Sequence, residues 1–193
     1  MNIKVTNWFP GDPPPENGIL LIRHGPREDP DVPPLSAMLT PIGEEESIAC
    51  GSVLSQFPPI EIRSSPVQRC LDTGEKITEG AGWDIEVIES EMLGHPGPFV
   101  IGKNNEEINH MVAYAQEHDD WSFLRDHVNG KDTPGMRHRD VGTRNLVEEL
   151  YPKTKGFVLC VSHDSIIAAV KGALGLNEEN WPSPLCGCII ERI

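Results

Sequence analysis

Two histidines follow short apolar runs in this sequence. His24 stands after Ile19-Leu20-Leu21-Ile22-Arg23, and His163 after Phe157-Val158-Leu159-Cys160-Val161-Ser162. A third run, Ile60-Glu61-Ile62, leads into Arg63-Ser64-Ser65, with Arg69 one helical turn further on. These residue types suit phosphoryl transfer. An imidazole is a competent nucleophile when one nitrogen is free and the other is held as N–H. Phosphoryl transfer asks mainly for positioning and for charge stabilisation on the equatorial oxygens. Arginine supplies that with a planar fork that stays charged, and a second histidine such as His163 could donate to the same oxygens. Backbone amides at a helix starting at Ser65 would favour an anion as well. The leaving alkoxide needs a proton, and Asp164 and Glu91 are the candidate carboxylic acids.

The elements that must hold these residues alternate between strand and helix. Residues 1–18, rich in Pro and Gly, read as an extended lead-in. Residues 19–23 read as a buried strand, and the proline-rich stretch 26–39 as a loop. Thr40-Pro41 opens a helix with Glu44, Glu45 and Glu46 near its positive end and Ala49, Val53 and Phe57 as its apolar stripe. A second helix is expected to start at Ser65 as N-cap, with Gln68 completing a capping box and Cys70, Gly74 and Ile77 facing the core. Residues 85–88 read as a strand. Between 94 and 140 the character changes: Ile108, Met111, Val112 and Ala115 mark one amphipathic helix, and Trp121, Leu124 and Val128 suggest another. A helix over 140–150, a buried strand over 156–161, a helix over 166–174 and a final strand, read as a possible edge, over 188–193 complete the chain. The expected fold is one domain over 1–193, an α/β three-layer sandwich on a mostly parallel sheet, with a helical insertion at 94–140. In such sheets the carboxyl ends of the strands form the ligand crevice, which would deliver both histidines to one edge.

Composition narrows the class further. At 193 residues with 38% hydrophobic content, the chain can bury a core without disulfides. The five cysteines have no CxxC spacing, so reduced thiols in a cytosolic protein are expected rather than a zinc site or a disulfide framework. No apolar run approaches the length of a membrane span, and the first residues lack the signs of a signal peptide. The net charge of −14 disfavours nucleic acid. It would also repel a phosphate substrate, but screening confines that field to about 8–10 Å at cellular salt, so local arginines can prevail. His95, His110, His118, His127 and His138 are spaced 15, 8, 9 and 11 apart, which fits no i, i+4 metal pair. Neither a metal nor an organic cofactor is expected.

The segments LIRHG (Leu21–Gly25), LTPIGEEE (Leu39–Glu46), SSPVQRCLDTGEKI (Ser64–Ile77) and CVSHDSIIAAV (Cys160–Val170) together resemble the histidine phosphatase superfamily, in family order. That family includes phosphoglycerate mutases and histidine acid phosphatases. The resemblance implies that His24 accepts the phosphoryl group and that Arg23, Arg69 and His163 complete the phosphate pocket. It implies a phosphate role for Arg27 too, although the acid phosphatase pattern RHGxRxP has its proline one place earlier than RHGPREDP here. It leaves two candidates for the proton donor: Asp164, which follows the second histidine as in the acid phosphatase branch, and Glu91, placed as in the mutase branch. Asp164 is the preferred reading.

The implied function is metal-independent hydrolysis of a small phosphomonoester through phosphohistidine. A phosphoglycerate mutase would share the pocket but return the phosphoryl group to a substrate, and the mutase-type residues after RHG are absent. A protein phosphohistidine phosphatase is a further alternative. A catalytically silent phospho-binding module is the least favoured, because His24 and Arg69 are both present. Oligomeric state is not legible.

Overall fold

The computed structural model describes residues 2–28, 36–101, 113, 114, 117, 120–176 and 181–193. Its strands are β1 (Ile3–Trp8), β2 (Gly18–Arg23), β3 (Glu61–Ser64), β4 (Val87–Glu89), β5 (Phe157–Ser162) and β6 (Gly187–Arg192). They form one sheet in the order β1-β6-β2-β5-β3-β4. β2, β5, β3 and β4 are parallel neighbours, while β6 runs antiparallel to both β2 and β1. β2 and β5 are apolar on both faces because both faces are covered, as parallel sheets require. Ile19, Leu21, Val158 and Cys160 point into one core, and Leu20, Ile22, Leu159 and Val161 into the other.

The helices make the outer layers. α1 (Pro41–Leu54) and α2 (Gln68–Ala81) close the second core with Cys50, Leu54, Cys70 and Ile77. α4 (Arg139–Leu150) and α5 (Asp164–Ala173) close the first with Leu146, Val147, Ile167 and Val170. α3 (Asp120–Val128) lies in the region expected to be a helical insertion and buries Phe123 and His127. The residues that mark the other helix expected there, Ile108, Met111, Val112 and Ala115, fall outside the described residues, while Ala113 and Tyr114 between them are helical. None of the described helices is long and apolar enough to cross a membrane.

Several expectations need correcting. Residues 3–8 are an edge strand rather than a plain lead-in: Ile3, Val5 and Thr6 are β-formers, and Ile3 to Trp8 pair with Arg192 to Gly187. The C-terminal strand is therefore one place in from the edge. The β4 strand starts two residues later than expected.

α1 begins as expected, with Thr40 Oγ1 accepting from Gly43 N at 3.0 Å. It presents a different face to the core, however. Gly43, Ser47, Cys50, Gly51 and Leu54 are buried, while Val53 and Phe57 are exposed. The cause is backbone contact with α2. A Cβ on Gly51 would lie 2.1 Å from the Ile77 carbonyl oxygen, and one on Gly80 would lie 2.0 Å from that of Ile48. Small residues, not large apolar ones, define this seam.

α2 starts at Gln68, not Ser65. The Ser65 amide still donates to Val161 O at 3.0 Å, extending the β3–β5 ladder past its last strand residue. The Ser65 hydroxyl accepts from Val67 N at 3.3 Å and meets His163, so the capping box expected at Ser65 does not form and the amides of Ser65 and Val67 are both bonded.

Candidate active site

The β-ladder decides where the chemistry gathers. β2, β5 and β3 lie side by side and parallel, with Arg23 opposite Ser162 and Ser64 opposite Val161. Their carboxyl ends therefore deliver His24, His163 and Ser65 to one edge of the sheet. The His24 amide makes the last bond of this edge, to Ser162 O at 3.0 Å. α2, which leaves β3, brings Arg69 between the two imidazoles.

His24 is 2% exposed. Its Nδ1 donates to Gly25 O at 2.7 Å, which leaves Nε2 with its lone pair. Arg69 Nε donates to that Nε2 at 3.0 Å, and Arg69 Nη2 reaches His163 Nδ1 at 3.2 Å. One guanidinium thus spans both rings, whose centroids lie 5.6 Å apart. The far side of His163 is fixed by Ser65 Oγ, 3.0 Å from its Nε2. Burial, reinforced by Arg69, Arg23 and the neighbouring ring, lowers the pKa of His24 to about 3, against an opposing hydrogen bond to Gly25. Burial and the same arginines, with Arg27 added, lower His163 to about 3 as well. Both rings are neutral at physiological pH, which is the state a nucleophilic nitrogen needs.

Arg23 is held by two arms, Nη1 donating to Pro182 O at 2.9 Å and Nη2 pairing with Asp164 Oδ2 at 2.9 Å. Among the described residues, its Nε and the Nη1 of Arg27 are buried donors with no partner. Buried donors normally find acceptors, so these two favour an anion at this edge. Arg27 itself is anchored by a bridge to Leu39, and its charge is felt at Arg69 and His163.

The two proton-donor candidates sit differently. Asp164, the first residue of α5, has one oxygen on Arg23 and accepts from Ser165 N at 2.8 Å with the other. Glu91 is exposed, on a single 3-10 turn (Glu91–Leu93) that follows β4. Ser162 Oγ ties that turn to β5 by donating to Leu93 O at 2.6 Å. Gly94 then lies against the second histidine: a Cβ there would be 2.5 Å from His163 Cδ2. His95, at φ 55°, follows directly and is exposed.

Other candidates fall away from the chemistry. Arg63 gives its Nε to Glu61. His127 packs edge-on against Phe99, and His138 caps α4 by accepting from Asp140 N at 3.3 Å. Cys70 lies 3.7 Å from His163 Nε2, but burial pushes its thiol up to about 12, so it is no thiolate nucleophile. Ser65 was expected to be a cap, and Thr73, which lies within the segment Ser64–Ile77, was given no role of its own. Thr73 stands four residues after Arg69, the spacing that puts two side chains on one helix face.

A pH dependence of stability follows from these rings. His24 and His163 are lowered to about 3, and burial lowers His127 to about 4. Above the ordinary value of 6.5 both folded and unfolded chains hold them neutral, so they cost nothing. Below it the unfolded chain gains protons that the folded one refuses, so stability falls as pH falls, by up to about 1.4 kcal/mol per pH unit for each ring. Urea unfolding at pH 7, 6 and 5 should show a steepening loss, shallower in His127→Phe. A flat profile across that window would contradict the burial of these neutral rings.

A family model described as the histidine phosphatase superfamily (branch 1) matches residues 19–188. The chain is 28% identical over 159 residues to a glucosyl-3-phosphoglycerate phosphatase of Mycolicibacterium vanbaalenii, covering 77% of this chain and 68% of that one. Among solved structures it resembles a mycobacterial glucosyl-3-phosphoglycerate phosphatase, with a TM-score of 0.60, 21% identity and 90% of each chain covered. It also resembles a phosphoglycerate mutase from Bacillus anthracis, with a TM-score of 0.61, 14% identity and coverage of 99% of this chain and 89% of that one. Both structural likenesses speak for the fold.

Proposed function

Because this chain belongs to the histidine phosphatase superfamily (branch 1), we propose that it hydrolyses small phosphomonoesters by passing the phosphoryl group through Nε2 of His24. The observation that carries this reading is the Arg69 guanidinium, which touches His24 Nε2 and His163 Nδ1 at once. A phosphate entering there meets a neutral nucleophile, a fork of donors and the two unpartnered donors on Arg23 and Arg27. Arg69 shields the nucleophile until an anion draws its N–H groups away.

In the first step Nε2 attacks phosphorus in line, and the bond from phosphorus to the leaving oxygen breaks. Arg23, Arg27, Arg69 and His163 hold the equatorial oxygens. The Nδ1–H bond to Gly25 O stabilises the ring as it gains positive character. Glu91, protonated, gives its proton to the leaving oxygen. In the second step the Glu91 carboxylate takes a proton from water, whose oxygen attacks phosphorus; the P–N bond breaks and its electron pair returns to Nε2. This assigns Glu91 the acid–base role that the sequence preferred to give Asp164. Both Asp164 oxygens are already occupied, one by Arg23, which supports a holding role for Asp164 instead. No step calls for a metal.

Phosphate release in the presence of a chelator tests the reading, with p-nitrophenyl phosphate beside sugar, nucleotide and glycerate monophosphates. The similarity to glucosyl-3-phosphoglycerate phosphatases supports adding that compound to the panel. The two carboxylates separate by leaving group. Glu91→Gln should lose roughly 10²–10⁴-fold in kcat/KM on alkyl phosphates, and far less in kcat/KM on p-nitrophenyl phosphate, whose phenolate leaves without a proton; kcat, which includes the water step, should fall on both. Asp164→Asn should slow both substrates by similar factors, because it acts through Arg23. The reverse pattern would move the acid–base role to Asp164.

A further inference from the structure

We propose that Thr73 is a positioning residue that holds His24 in its nucleophilic tautomer. The proposal rests on His24 being the nucleophile. β2 ends at Arg23, and the ladder's last bond is the His24 amide to Ser162 O. Gly25 lies beyond the ladder, yet it must supply the carbonyl that keeps the proton on His24 Nδ1. Its amide is buried and takes Thr73 Oγ1 as acceptor at 3.0 Å. Thr73 Oγ1 in turn donates to Arg69 O at 2.7 Å. Arg69 Nε closes the circuit on His24 Nε2 at 3.0 Å. One fully buried hydroxyl therefore ties the backbone of the nucleophile to the residue that faces its reactive nitrogen.

A hydroxyl is needed here because it accepts and donates at once. It pins the peptide plane between His24 and Gly25, the plane from which the imidazole hangs. Gly25 has no side chain to resist rotation, and none would fit: a Cβ there would lie 2.8 Å from Ser47 Oγ and 3.0 Å from Gly43 O. Without the Thr73 acceptor the Gly25 backbone can turn to rescue its amide, and the carbonyl then leaves Nδ1–H. Once an anion has drawn Arg69 away from Nε2, the ring is free to carry its proton there instead, and a protonated Nε2 cannot attack. None of the arginines proposed to bind phosphate is displaced by this change, so the defect belongs in kcat rather than KM.

Thr73→Val keeps the shape and removes the hydroxyl, whereas Thr73→Ser keeps the hydroxyl. On p-nitrophenyl phosphate, Thr73→Val should lose roughly 10- to 100-fold in kcat, the scale of a small misplacement of a reacting group, with KM within about twofold. Thr73→Ser should stay within about threefold of wild type on the same scale. With inorganic phosphate bound, nitrogen-15 NMR of the imidazoles should show His24 protonated at Nδ1 in wild type and Thr73→Ser, and a tautomer mixture in Thr73→Val. Should the valine variant not fold, Thr73→Cys, which replaces the hydroxyl by a thiol that is a weak acceptor, takes its place with the same direction of change. A folded Thr73→Val with wild-type kcat and an unchanged His24 spectrum would overturn the positioning role while leaving His24 as nucleophile. A wild type that forms no phosphohistidine at His24 would remove both.

Discussion

Replacing His24 with alanine should abolish turnover, lowering kcat by about 10⁴-fold or more, as loss of a covalent nucleophile does. The effect should be specific to chemistry. His24 sits at the end of β2, and its amide bond to Ser162 O is made by the backbone, which alanine keeps. The Nδ1–H bond to Gly25 is lost, but the sheet register beneath is set by Ile19 to Ile22 against Val158 to Val161. Thermal unfolding should therefore stay cooperative. Inorganic phosphate should still bind, because Arg23, Arg27, Arg69 and His163 remain. Competition by phosphate or equilibrium dialysis checks that retention. Activity surviving in His24→Ala at more than a few per cent would place the nucleophile elsewhere.

Arg69→Lys should lose roughly 10²–10³-fold in kcat, the scale for removing a preorganised donor from a site of developing charge. Lysine keeps the charge but not the fork. Arg69 aims Nε at His24 and Nη2 at His163 in one rigid plane, and an ammonium on a flexible stem cannot face both. Arg69→Ala carries a further signature. Burial is the main cause of the low pKa of His24, and the Arg69 charge adds to it. Removing that charge should raise the pKa from about 3 towards the ordinary value. The acid limb of kcat/KM should accordingly move to higher pH in Arg69→Ala, and less so in Arg69→Lys. An unmoved acid limb together with a modest loss of rate would mean that Arg69 only braces the fold.

The gathering of the candidate residues at one sheet edge was legible in the sequence because strand ends advertise it. Leu21–Gly25 and Cys160–Asp164 each put an imidazole directly after an apolar run, and parallel pairing then brings both to one edge. The position of Arg69 was legible for a similar reason, one turn into a helix leaving the neighbouring strand. What escaped was set by contacts between distant segments. Ser65 has the sequence signs of a helix cap, yet its amide is drawn into the ladder with Val161 and its hydroxyl to His163, 98 residues away. Thr73 lies in the segment that carried the resemblance, but its role showed only in the buried amide of Gly25, 48 residues earlier, which takes its hydroxyl as acceptor. The α1 stripe was misread because periodicity counts large apolar residues, whereas this helix packs through Gly51 at backbone distance from α2. β1 was hidden by the prolines and glycines that follow it. Asp164 was preferred because the acid phosphatase branch places its Asp directly after the second histidine, and the ion pair of Asp164 with Arg23 is a three-dimensional contact that no such pattern carries.

The most direct test of phosphoryl passage through His24 is rapid acid-free quenching of the enzyme during turnover of p-nitrophenyl [³²P]phosphate, followed by peptide mapping. Phosphohistidine is labile to acid and stable to base, unlike phosphoserine or phosphothreonine. The expected result is a base-stable, acid-labile label on the peptide carrying His24, formed as fast as turnover requires and absent from His24→Ala. Turnover with no label on that peptide, or a label on any other residue, would contradict the central claim.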